Sequence, residues 1–233
     1  MAHRILQFYQ DLDASRISLP DGIQVINPYR ESSEAMAIAR QFYYKYYNDE
    51  KRRILILGIN PGRFGAAVTG VPFTDPKRLE SVLQIPFSGK ITHEPSSVFI
   101  YEMIAAYGGA EQFYNRFYIN SIFPLALTTT GNKGGEKNFN YYDRPELFNL
   151  LQGAIINNIN QQLGMGVYPD ICICFGTGKN ETMLRKLNEQ HGFFKKIIAL
   201  EHPRFIVQYK NKQKQYYIDK YLTAFNEAEV LVK

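Results

Sequence analysis

Cysteine is scarce in this chain: only Cys172 and Cys174 occur, two residues apart in DICICFG. On a strand they point to one face, a disulfide between such neighbours has poor geometry, and two thiols cannot complete a four-ligand metal or iron–sulfur site. The pair reads as buried thiols of a reducing compartment. No apolar run approaches membrane-spanning length, and MAHRILQFYQDLDAS at the N-terminus lacks the apolar core and small-residue cleavage site of a signal peptide. Internal repeats and low-complexity linkers are missing too. These absences lead us to expect a single domain over residues 1–233, intracellular and cytoplasmic, with no membrane partner and no cofactor or metal.

Tryptophan is also absent, yet aromatic content is high, with 17 Tyr and 16 Phe. Many tyrosines stand in polar surroundings, as in QFYYKYYN and NFNYYDR, so not all are expected in the core. Across 233 residues, 45% are hydrophobic and 21% charged, an ordinary globular balance. The formal net charge of +5 suits a polyanionic partner without deciding for one.

Four short apolar runs read as buried strands: RRILILG (52–58), RFYINSI (116–122), DICICFG (170–176) and KKIIALE (195–201). Helical patterns flank them at 31–49, with Ser32 or Ser33 as cap, at 97–109, at 144–164, at 178–192 and at 214–229. Strands alternating with helices predict an α/β fold of three layers around a mainly parallel four-stranded sheet. The stretches 59–96 and 124–143 lack periodicity and are longer than a connection requires, which marks them as functional or mobile.

In an open α/β sheet a ligand binds outside the carboxyl ends of the strands. Here those ends carry Gly58-Ile59-Asn60-Pro61-Gly62, Asn120, Gly176-Thr177-Gly178 and His202-Pro203-Arg204. Each has a plain reading. Asn60, in a glycine-rich loop and directly before Pro61, suits a simple turn. Asn120 in a strand can be a satisfied structural amide, His202 a structural histidine, and Phe73 in GVPFTDP core filler. FGTGKNE fails the phosphate-loop pattern, because Lys179 is followed by Asn, although a helix N-terminus there can take a backbone phosphate. The lysine-rich 209–221 reads as a solvated helix face, with a nucleic-acid contact as the minor alternative.

Taken together, GINPGRFGAAVTGVPF resembles the first motif of the uracil-DNA glycosylase superfamily, most closely that of single-strand-selective monofunctional uracil-DNA glycosylases, G-M-N-P-G-P-F-G-M-x-Q-T-G-V-P-F-G. Gly58, Asn60, Pro61, Gly62, Phe64, Gly65, Thr69, Gly70, Val71, Pro72 and Phe73 fall in register. VINPY (25–29), YINSIFPLAL (118–127, like H-N-x-C-P-L) and LEHPRF (200–205, like L-x-H-P-S-P-R) extend the likeness collinearly.

The resemblance implies a uracil-DNA glycosylase-like fold and a monofunctional enzyme that hydrolyses the bond between a flipped-out uracil and its sugar, acting as a monomer on single-stranded or duplex DNA. It implies that Asn60 orients the attacking water and that His202 donates to uracil O2 as charge develops there. It implies that Asn120 reads N3–H and O4, and that Phe73 stacks on the ring. Ile59 and Phe64 would complete the pocket. Other branches place Tyr where this chain has Gly62, so a vacant Gly62 would admit 5-modified uracils and other deaminated bases. Arg63 adds a cation toward DNA. Gly176, Thr177, Gly178 and Lys179 would meet a phosphate.

The last motif lacks Ser-Pro after His202-Pro203, which shortens the wedge and leaves Arg204 and Phe205 to fill it. A preference for single strands or mismatches follows. The chain thus looks like a divergent branch. A non-catalytic damaged-base or nucleic-acid binding protein on the same fold is the alternative. An α/β hydrolase ranks far lower, for want of a G-x-S-x-G elbow and of clustered carboxylates.

Overall fold

A computed structural model describes residues 1–15, 17–131 and 134–232. Along the chain run α1 (Ala2–Asp11), β1 (Ile23–Ile26), α2 (Pro28–Glu31), α3 (Ser33–Tyr47), β2 (Arg53–Gly58) and α4 (Ala66–Thr69). Next come α5 (Pro76–Ser81), α6 (Pro95–Tyr107), α7 (Ala110–Arg116), β3 (Phe117–Ser121), β4 (Ala126–Thr130) and β5 (Glu136–Phe139). The chain closes with α8 (Pro145–Leu163), β6 (Val167–Phe175), α9 (Lys179–His191), β7 (Lys196–Leu200), α10 (Pro203–Tyr209) and α11 (Lys214–Leu231).

The four expected strands form one parallel sheet in the order β3-β2-β6-β7. All six residues of β2 are buried, as befits a central strand covered on both faces. Side chains alternate between the faces, and residues in register share one. Cys174 faces α9, where Asn180 Nδ2 reaches its sulfur at 3.4 Å. The next residue, Phe175, packs against Tyr221 of α11, which meets Phe99 of α6. Helices therefore cover both sides. Both cysteines are free and buried, and burial pushes the Cys174 thiol up to about 12, so neither is a ready nucleophile.

Helix boundaries follow local chemistry. Ser32 caps α3 by accepting from the Ala35 N–H, and Pro occupies the first turn of α6 and α8. Of QFYYKYYN, Tyr43 and Tyr47 are fully buried while Tyr44 is exposed. The buried hydroxyls are paired, Tyr9 with Tyr43 at 2.9 Å and Tyr47 with the Phe117 carbonyl at 2.9 Å.

The stretch 124–143, of which 132 and 133 lie outside the described residues, is not a bare loop. It holds β4 and β5, paired antiparallel, which β1 extends to a three-stranded sheet in the order β1-β4-β5. Likewise 59–96 contains α4 and α5. No helix among the described residues is long and apolar enough to cross a membrane.

Candidate active site

At the carboxyl ends of the strands lies a cavity of about 280 Å³. The loop after β2, the 71–75 turn, the start of α6, the end of β3, β5 and α10 all contribute to it.

Gly58 ends β2. A Cβ there would come within 2.8 Å of the Phe73 ring, so glycine is what lets that ring lie across the strand end. Phe73 adopts a left-handed backbone with φ 54°, a costly conformation for an aromatic residue. Thr69 holds the turn, its hydroxyl donating to the Thr74 carbonyl at 2.8 Å and accepting from the Val71 N–H at 3.2 Å. The ring sits edge-on to Phe175 and tilted toward His202, each centroid 5.7 Å away. One face of the cavity is thus a fixed aromatic plate.

Asn60 is held by both ends of its amide. Nδ2 donates to the Phe139 carbonyl at 3.0 Å, and Oδ1 accepts from the Tyr141 N–H at 3.3 Å. One N–H and one lone pair remain for a ligand or water. β5 also brings Asn138, whose Oδ1 accepts from the Arg63 N–H at 3.0 Å, and Asn140 follows it into the lining. The aperiodic stretch 124–143 therefore builds a wall of the site.

His202 caps α10: its Nδ1 accepts from the Arg204 N–H at 3.1 Å. With Nδ1 an acceptor, the ring proton of the neutral form resides on Nε2. Loss of hydration and, second, the nearby Arg204 charge lower its pKa to about 4, so the ring is neutral at physiological pH. It is an uncharged donor.

Glu94 is the acid that the sequence reading missed. It is 8% exposed, lines the cavity, and lies against two glycines. A Cβ on Gly62 would stand 2.5 Å from Oε2, and one on Gly65 would stand 3.1 Å from Cγ. The space expected to be vacant beside Gly62 is thus filled by a carboxyl group. Burial pushes its pKa above the ordinary carboxylate range, with the Arg204 charge pulling the other way.

Asn120 does not reach the cavity. In register with Leu57, it lies on the face opposite Phe73; Nδ2 donates to the Tyr118 hydroxyl at 2.8 Å, and Oδ1 accepts from the Ser121 N–H at 2.8 Å. The next residue, Ser121, pairs in register with Gly58 and lines the cavity in its place. Strand alternation decides the matter.

Of the remaining expected residues, Ile59, Gly62, Phe73, Arg204 and Phe205 line the cavity. Phe64 does not: it is exposed, with the Arg63 guanidinium 3.9 Å from its ring centroid. Arg63 also faces Glu136 at 4.0 Å, which offsets its charge. Gly176, Thr177, Gly178 and Lys179 lie outside the cavity, where Asn180 closes the end of β6 by donating to the Phe175 carbonyl at 3.1 Å and accepting from the Tyr141 hydroxyl at 2.8 Å. α10 begins directly after His202, so Arg204 and Phe205, expected to fill a shortened wedge, stand in the first turn of a helix. Its Phe205 and Tyr209, one turn apart, are exposed with ring centroids 5.5 Å apart at the cavity mouth. Among the described residues, no group of three or more His, Cys, Asp or Glu is placed to hold a metal ion.

A family model described as the uracil DNA glycosylase superfamily matches residues 44–226. Among solved structures, the crystal structure of wild-type SMUG2 from Pedobacter heparinus is similar, with a TM-score of 0.95 and 55% identity over 98% of this chain and 97% of that one. No protein of curated function matches.

Proposed function

The chain belongs to the uracil DNA glycosylase superfamily, and from that membership we propose that it takes uracil and other deaminated bases, flipped out of DNA, into the cavity beneath Phe73 and releases them by hydrolysis. It is a DNA glycosylase, a hydrolase of N-glycosyl bonds. The non-catalytic binding protein weighed from the sequence is thereby set aside.

As the bond breaks, the sugar gains oxocarbenium character and the base leaves with negative charge, centred for uracil on the O2 side. A fixed donor at that oxygen stabilises the transition state more than the ground state. His202 Nε2–H is assigned this task. The observation that carries the reading is the Arg204 N–H on His202 Nδ1, which leaves the opposite nitrogen as a neutral donor in the cavity that Asn60 also lines. A neutral donor suits a base that departs as an anion and is protonated afterwards by solvent.

Asn60 orients the water that attacks the sugar, through the N–H and lone pair that Phe139 and Tyr141 leave free. An amide does not take up the water's proton at neutral pH. It serves where most of the barrier is removed by steadying the leaving base. Phe73 stacks on the extruded ring, as expected of enzymes that work on a base outside the helix. The 5-modified uracils expected from a vacant Gly62 fall outside this proposal, because Glu94 occupies that space.

At the mouth, Arg204 offers charge, and Phe205 and Tyr209 offer stacking surface to the adjoining bases, a combination that suits single strands. The test is cleavage of single- and double-stranded oligonucleotides each holding one uracil, hypoxanthine or xanthine. Abasic-site formation, fastest on single strands, is the expected result. Intact products with every substrate would refute the proposal.

A further inference from the structure

The function proposed above leaves Glu94 without a task, and the inference here rests on that function. We propose that Glu94 reads the keto oxygen that replaces an amino group on deamination, donating Oε2–H to O4 of uracil or O6 of hypoxanthine. The amide expected to read this edge, Asn120, is turned to Tyr118 on the far face of β3. The carboxyl of Glu94 instead projects into the cavity from the start of α6, with Oε2 beside Gly62.

The hydrogen bonding around the carboxyl assigns its proton. Ser96 Oγ donates to Oε1 at 3.4 Å, which makes Oε1 the acceptor and leaves the proton to Oε2. The charged groups facing Glu94 are few. Arg204 comes from α10, and Asp75 from the start of α5 lies behind, accepting the Glu94 N–H at 3.1 Å. Asp75 is itself paired with Arg78 at 3.1 Å and faces His93 at 3.4 Å. Burial and Asp75 favour the neutral acid, Arg204 and the hydrogen bonds from Ser96 oppose it, and burial is the largest influence.

A neutral acid with a fixed proton separates product from parent. It meets a keto oxygen donor to acceptor. Against the N4 amino group of cytosine or the N6 amino group of adenine it would set donor against donor, which in a desolvated pocket leaves both unpaired. An ionised carboxylate would invert the preference, so reading depends on keeping the proton.

The experiment is single-turnover excision of uracil from a single-stranded oligonucleotide by wild type, Glu94→Gln and Glu94→Ala, from about pH 5 to about pH 9. Wild-type rates should fall toward the alkaline end as Glu94 ionises. Glu94→Gln cannot ionise and keeps an N–H where Oε2–H stood, so it should stay active without that fall. Glu94→Ala should lose roughly tenfold or more. Wild-type rates for Glu94→Ala, equal losses in both variants, or an alkaline fall retained by Glu94→Gln would each overturn the proposal while leaving the glycosylase reading intact. A wild type inactive on every deaminated base would overturn both.

Discussion

Asn60 and Phe139 join the two sheets: the Asn60 Nδ2 donates to the Phe139 carbonyl at 3.0 Å, fastening the loop after β2 to the end of β5. The same amide accepts from the Tyr141 N–H at 3.3 Å. Only a side chain that both donates and accepts can do this, which explains an amide here in place of a carboxylate. Asn60→Asp would set an ionised oxygen against the Phe139 carbonyl. We predict faster hydrogen exchange at the Tyr141 N–H and excision slower by roughly tenfold or more. Unchanged exchange with wild-type turnover would show that the amide is dispensable.

Gly62 and Glu94 are matched in the same way. A methyl group at position 62 would stand 2.5 Å from Glu94 Oε2, closer than real contacts allow. Gly62→Ala is therefore expected to push the carboxyl off its position and cut excision, with little change in melting temperature because the conflict is at a cavity wall. Comparing single-turnover rates with thermal unfolding checks this. Wild-type rates would mean that Glu94 moves aside freely.

Phe205 and Tyr209, their rings tilted 45° to one another, offer exposed aromatic surface at the mouth. Base–aromatic stacking is worth about 1–3 kcal/mol per base. Phe205→Ala and Tyr209→Ala should thus weaken binding of a single-stranded substrate by roughly tenfold each, raising KM while kcat holds. Binding measured by fluorescence anisotropy, beside steady-state kinetics, separates the two parameters. A loss confined to kcat would place these rings in the chemistry instead.

His202 should behave as a neutral ring across the working range. Its pKa is lowered to about 4 by lost hydration and by Arg204, so it takes up a proton only well below the ordinary value of 6.5. The unfolded chain protonates first on acidification, and the stability linked to this ring is therefore full above about pH 6.5 and lost as pH falls toward about 4. Nitrogen-15 chemical shifts of the imidazole should report the Nε2–H form at neutral pH. A midpoint near the ordinary value, or a proton on Nδ1, would contradict this assignment.

The sheet was legible because Ile and Leu crowd both faces of three of its four strands, a pattern that solvent-facing strands do not tolerate. The β4–β5 pair was not, since ALTTT and EKNF carry little apolar signal and pair at a partly exposed edge. Tyr43 and Tyr47 were hidden by polar neighbours, though their four-residue spacing puts them on one helix face.

At the site, Asn60, Phe73 and His202 announced themselves by position at strand ends or beside glycines. Asn120 misled because an amide is the more conspicuous neighbour of Ser121. The spacing held the clue: in H-N-x-C-P-L the Asn stands three residues before the Pro, and here Ser121 stands three before Pro124. Glu94 in THEPSS looked like any acid before a helix-opening Pro, and nothing local revealed that two glycines far upstream make room for it.

The central claim is that a neutral imidazole in the cavity that Asn60 also lines steadies the departing base. Single-turnover excision of uracil from a single strand, wild type against His202→Ala at neutral pH, tests it most directly. Losing one such donor is expected to slow the step by about a hundredfold to a thousandfold with substrate binding retained. A variant within a few-fold of wild type would mean that the charge on the expelled base is borne elsewhere.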